Sequence, residues 1–123
     1  MSVIKPILRM FDYSKAIEFY IDWLGFTHDW THEFEPDTTP RFIQISLRDI
    51  TLYLSEHHGD GGSGLHLNIE GFKDLKAYQQ QLIDKKYKYG RPGLEAAFWD
   101  EKTITLTVYD PFNNRLTFTE TLS

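Results

Sequence analysis

Phe11-Asp12-Tyr13-Ser14-Lys15-Ala16-Ile17-Glu18-Phe19-Tyr20-Ile21-Asp22-Trp23-Leu24-Gly25-Phe26 decides the fold, because a counterpart of it recurs in the second half of the chain. Ala16, Ile17, Tyr20, Trp23 and Leu24 fall at helical spacing, which predicts an amphipathic helix. Asp12 or Ser14 can cap its start, and Gly25 suits its C-terminal stop. Upstream, residues 3–10 are mostly apolar but are interrupted by Pro6, the pattern of an edge strand or an irregular start. Downstream, Phe26, His28, Trp30, His32 and Phe34 alternate, which predicts a strand over 26–35 with these residues on one face. Residues 35–40 form a Pro-rich loop. Residues 42–47 and 50–55 read as two further strands around a tight turn at Arg48-Asp49.

His57-His58-Gly59-Asp60-Gly61-Gly62-Ser63-Gly64 reads as a connector, and after it the order of elements restarts. Residues 65–70 alternate as a strand. Residues 72–86 read as a helix with Phe72, Leu75, Tyr78, Leu82 and Ile83 on its apolar side. A Gly/Pro turn and a short extended piece fill 87–98, followed by strands over 103–109 and 115–121 around a turn at Asp110-Pro111-Phe112-Asn113-Asn114. A shift of 58 maps Asp12, Ile17, Tyr20 and Leu24 onto Glu70, Leu75, Tyr78 and Leu82, and a shift of 64 maps Leu52, Leu54 and Glu56 onto Leu116, Phe118 and Glu120. Any two amphipathic helices look alike, but matching strand order around them favours duplication. The expectation is one α+β domain of two modules, about 1–58 and 64–123, with a ligand pocket between two curved sheets.

Composition narrows the function. The 123 residues suit one domain, and the absence of cysteine excludes disulfides and thiolate chemistry. No apolar run is long enough for a membrane span, and residues 1–6 lack the apolar core of a signal peptide, so a cytoplasmic protein without a membrane partner is expected. A net charge of -5 argues against nucleic acid and is compatible with a cationic ligand, or simply with solubility. Phe, Tyr and Trp supply 15% of the residues, a surplus that a pocket for a flat, partly apolar compound could use.

Phe11-Asp12 with Ala16-Ile17-Glu18-Phe19-Tyr20 and Leu24-Gly25-Phe26 resembles the opening of the vicinal-oxygen-chelate superfamily, which includes glyoxalases, bleomycin-resistance proteins and extradiol dioxygenases. Asp110-Pro111-Phe112-Asn113-Asn114-Arg115-Leu116 resembles its last turn and strand, and residues 52–60 resemble a segment of its bleomycin-resistance-like branch. The resemblance implies two βαβββ modules forming a cupped mixed sheet, commonly paired in a homodimer. Enzymes of the superfamily place His or Glu metal ligands on four strands. The matching positions here carry Lys5, Tyr53, Gly64 and Thr117, and none of the four is a good ligand for a divalent ion. An alternative mixed site would use His66 with Glu56 or Glu120.

The preferred expectation is a small-molecule-binding protein resembling bleomycin-resistance proteins. It would sequester an aromatic, cationic compound, such as a bleomycin-like antibiotic, without catalysis or a cofactor. Trp30, Phe34, Phe42, Trp99 and Tyr109 are the candidate aromatic lining, with Tyr53, Glu56, His66 and Glu120 as further ligand contacts. Core packing is the competing account of each aromatic, and exposed strand ends the competing account of Glu56 and Glu120. The alternative is a metal-dependent glyoxalase- or dioxygenase-like enzyme, a lyase or oxidoreductase with non-standard ligands. A third is a duplicated domain that serves only as an interaction module.

Overall fold

The computed structural model describes residues 2–33, 40–57, 59–60 and 64–122. Its strands form two four-stranded mixed sheets, the first in the order Ile7–Arg9, Ile50–Ser55, Arg41–Leu47, Thr27–Glu33 and the second in the order His66–Ile69, Arg115–Thr121, Asp100–Tyr109, Leu94–Ala97. The chain divides into two compact units, Met1–Leu65 with Pro111–Asn113, and His66–Asp110 with Asn114–Ser123. No helix among the described residues is long and apolar enough to cross a membrane.

In the first unit β1 (Ile7–Arg9) lies parallel to β4 (Ile50–Ser55), while β2 (Thr27–Glu33) and β3 (Arg41–Leu47) extend the sheet antiparallel. β1 is shorter than the apolar run suggested. Pro6 has no N–H to give to a ladder, so only its carbonyl joins the sheet, accepting from Tyr53 N at 2.9 Å. The crossover helix starts as α1 (Tyr13–Ala16) and continues as a π-helical stretch, Ile17–Trp23. Asp12 caps it, its carboxylate accepting from Lys15 N at 3.1 Å and from Ser14 Oγ at 2.7 Å. Gly25, at φ 89°, turns the chain out of the helix, a left-handed conformation that glycine adopts without a Cβ clash. Phe26 N then donates back to Tyr20 O at 2.9 Å. Ala16, Phe19, Tyr20, Trp23 and Leu24 are buried against Leu8, Ile43, Ile45, Leu52 and Leu54, whereas Ile17 is only half-buried. Burying apolar area at about 25 cal/mol per Å² makes this layer the main stabilising term of the unit.

The second unit repeats the plan. β5 (His66–Ile69) is parallel to β8 (Arg115–Thr121), and β7 (Asp100–Tyr109) and β6 (Leu94–Ala97) complete the sheet antiparallel. Phe98 and Trp99 form the two-residue turn between β6 and β7, so β7 begins three residues earlier than its apolar pattern announced. α2 (Leu75–Asp84) starts after Phe72, which is buried but precedes the helix. Phe72, Tyr78 and Phe118 meet edge to face or tilted at 4.9–5.6 Å, in a core that also holds Leu75, Leu82, Leu106, Val108 and Leu116. The Asp110–Asn114 turn is closed by the buried Asp110 carboxylate, which accepts from Asn114 N at 2.8 Å and from Asn114 Nδ2 at 2.9 Å.

Candidate functional site

Strand register decides which residues share a surface, because cross-strand partners point to the same side of a sheet. In the first sheet Ile43, Ile45, Leu52 and Leu54 face the helix. The far face therefore carries Phe42, Gln44 and Ser46 from β3 and Tyr53 from β4. Trp30 pairs with Gln44 and His32 with Phe42, so both join that face. The sequence alternation had placed Phe26, His28, Trp30, His32 and Phe34 together. A β-bulge between His28 and Trp30 breaks this set: the extra residue, Asp29, reverses the phase, and His28 pairs with core-facing Ile45. Phe26 is buried, packed edge-on to Tyr20 at 5.9 Å. Phe34 lies outside the described residues.

The result is an aromatic platform. Trp30 and Phe42 stack with centroids 6.0 Å apart and planes 20° apart, and Tyr53 meets Phe42 at 4.8 Å and Trp30 at 5.8 Å. Trp30 remains 41% exposed. A polar strip runs beside the rings. Lys5 Nζ lies 5.5 Å from the Tyr53 ring centroid and donates to Gln44 Oε1 at 3.2 Å. Gln44 Nε2 and Ser46 Oγ donate to the Asp29 carboxylate at 3.1 and 2.9 Å. Asp29, Gln44 and Ser46 were not singled out, and Lys5 was reached only as one of the superfamily's ligand positions; nothing in sequence marks Asp29 as the residue that a bulge will bring beside an aromatic group.

Glu56 belongs to the framework of this unit. Its carboxylate accepts from the backbone N of Arg41 at 2.8 Å and lies 4.0 Å from the Arg41 guanidinium. This satisfies the first amide of β3.

The far face of the second sheet is polar. Register puts His66, Arg115 and Tyr109 in one row, Asn68, Thr117 and Thr107 in the next, and Thr119 with Thr105 and Thr121 with Thr103 beyond. Arginine only donates, so the Arg115 contact at 3.0 Å makes His66 Nδ1 an acceptor. The neutral ring then carries its proton on Nε2 and donates to Thr117 Oγ1 at 2.9 Å. Glu120 lies on the opposite side of β8, with partner Ile104. His66 and Glu120 therefore do not share an ion, which removes that pair from the alternative site. Both nitrogens of His66 are engaged, one of them by a cation. No group of three or more His, Cys, Asp or Glu among the described residues could hold a metal. The donor set does not fit the metal centre of the superfamily's enzymes.

Glu120 and Trp99, both candidates from sequence, are brought together in a pocket of about 440 Å³ within the second unit. Glu70, Gly71, Lys73, Asp74, Thr103, Thr119 and Thr121 complete its lining. The Glu120 carboxylate accepts from Asp74 N at 2.9 Å and from Leu75 N at 3.0 Å, so it caps α2 from outside the helix. The threonine lining had a legible signal that was missed: Thr103, Thr105 and Thr107, and again Thr117, Thr119 and Thr121, recur with period two.

A family profile described as glyoxalase superfamily protein matches residues 1–123. Among solved structures, the bleomycin resistance determinant encoded on transposon Tn5 superposes with a TM-score of 0.73 at 18% identity, over 98% of each chain. A bleomycin-binding protein complexed with bleomycin gives 0.71, also at 18% identity and 98% of each chain. An antibiotic-binding protein from Streptomyces sp. CB03234 gives 0.66 at 18% identity, over 98% of this chain and 97% of the other. At these identities the likeness is one of fold. No curated protein matches the sequence.

Proposed function

This chain belongs to the glyoxalase superfamily, and on that premise we propose that it binds a small planar aromatic compound and holds it without chemistry. The observation that carries the reading is the stacked, partly exposed Trp30–Phe42 pair with Tyr53 beside it. A flat ring system gains offset stacking on such a surface, and Lys5, Gln44 and Asp29 offer donors and acceptors along its edge. The net charge of -5 favours a cationic compound over an anionic one. Structural relatives described as binding bleomycin or another antibiotic, and one described as a bleomycin resistance determinant, support the ligand class. A homodimer is the proposed assembly, to be read by sedimentation.

Bleomycin and a panel of planar aromatic cations, titrated by calorimetry, test the proposal. Binding should weaken about tenfold in Trp30→Ala, which corresponds to about 1.4 kcal/mol. A panel in which no compound binds or raises the melting temperature sinks the reading. Stoichiometric metal in the purified protein, lost in His66→Ala, would instead restore the enzyme alternative.

A further inference from the structure

We infer that the pocket beside the start of α2 is a second binding site, for a small primary ammonium compound carrying an aromatic or apolar face. It goes beyond the platform reading and shares no residue with it.

Charge comes first. Glu70, Asp74 and Glu120 line the pocket against the single cation Lys73. The three carboxylates are not equivalent. Both Glu120 oxygens accept backbone amides of α2, and Glu70 Oε2 accepts from Asn68 at 3.0 Å. Asp74 is different. It occupies the N-cap position, where aspartate is among the best capping residues, yet its side chain makes no capping bond. Its backbone sits at φ 57° and ψ 43°, the left-handed region that a non-glycine residue enters at a cost of order 1–3 kcal/mol. Glu120 has taken over the cap, and the Asp74 carboxylate is left for the pocket.

Two further features define the ligand. Trp99, 55% exposed, lines the same pocket, and an indole face attracts a cation that the neighbouring carboxylates also favour. Thr119 is only 3% exposed, lines the pocket, and makes no side-chain hydrogen bond among the described residues. Its hydroxyl is not one of the buried unpartnered side-chain atoms of the described residues, so the oxygen is reachable, and an ammonium N–H is a donor that it can accept from. Thr103, also buried, is instead spent on Asp100 and Thr121 at 3.1 and 2.8 Å. An anionic ligand is disfavoured by the charge balance, and a quaternary ammonium has no N–H to donate to Thr119.

The test uses benzylamine, benzyl alcohol and benzoate, read at the Trp99 indole N–H by NMR and assigned with Trp99→Phe. Benzylamine should shift that resonance saturably and at least about tenfold more tightly than the alcohol, with benzoate inert, and rising salt should weaken it. Asp74→Asn, which tolerates the same left-handed backbone, should reduce benzylamine affinity about tenfold, and Thr119→Val several-fold. Equal binding of amine and alcohol, no response at Trp99, or an unchanged affinity in Asp74→Asn overturns the proposal. A response confined to the Trp30 indole overturns it while leaving the platform reading intact. The fate of the platform is decided separately by Trp30→Ala and the planar panel.

Discussion

The two helices of this protein begin at the same kind of residue and are capped in different ways. Asp12 caps α1 with its own carboxylate, from an extended backbone at φ -145°. Asp74 stands at the same position before α2, but it is left-handed and caps nothing, because Glu120 reaches in from β8. The far faces of the sheets differ in a parallel way. The first carries stacked aromatic rings, the second threonines, His66 and Arg115. The two units share strand order and an apolar core, where any change of volume is felt, and differ on the surfaces that packing does not police.

Several substitutions would break or sharpen this contrast. The largest effect should come from Glu120→Ala. It removes two charge-assisted bonds from the start of α2, so chemical denaturation should show a loss of about 2–3 kcal/mol, with helix 75–84 exchanging amide protons faster. Glu56→Ala should cost less, about 1–2 kcal/mol, since its carboxylate serves one backbone amide of β3 and a guanidinium 4.0 Å away. Asp74→Gly should act in the opposite direction, raising stability by about 0.5–1 kcal/mol on relief of the left-handed strain. If it destabilises instead, the Asp74 side chain has a structural role that the contrast denies.

The smallest effect concerns Asp12. The hydroxyl of Ser14, then the amide of Lys15, hold its carboxyl below the usual 3.8. A carboxyl lowered in the folded state contributes stability that is complete above that ordinary value and is lost as pH falls through the lowered one. The melting-temperature gap between wild type and Asp12→Asn should therefore be constant near neutrality and close as pH drops below 3.8. A gap that widens on acidification would show that the cap does not depend on the charge.

Much of the fold could be read from period and punctuation. The alternations at 42–47, 50–55 and 115–121 located three strands, and Gly25 marked a helix end. The repeat itself was legible, with Leu52 and Leu54 buried as Leu116 and Phe118 are. The helix alignment slipped. Matching apolar side chains gave a shift of 58, which set Asp12 against Glu70, whereas the observed N-caps are Asp12 and Asp74. The four-residue difference is about one helical turn, and a pattern of period 3.6 is nearly blind to such a slip. The candidate site residues fall in different surroundings. Trp30, Phe42 and Tyr53 do cluster, and Trp99 and Glu120 share a pocket. Glu56 and Glu120, picked as ligand contacts, spend their carboxylates on backbone amides. Asp29 was passed over, because its carboxylate finds its donors, Gln44 and Ser46, on a strand distant in the chain.

Sequence alone determined the duplicated order of strands and helices, the apolar layer beneath each sheet, and the superfamily, since these depend on local periodicity and on motifs kept in order. Only the tertiary structure decided that a bulge at Asp29 turns Trp30 toward Phe42, that Glu120 caps α2, and that Asp74 is thereby left facing a pocket. Hydrogen-bond partners and register are long-range choices. A carboxylate in a sequence is compatible with many donors, and it is the fold that selects one.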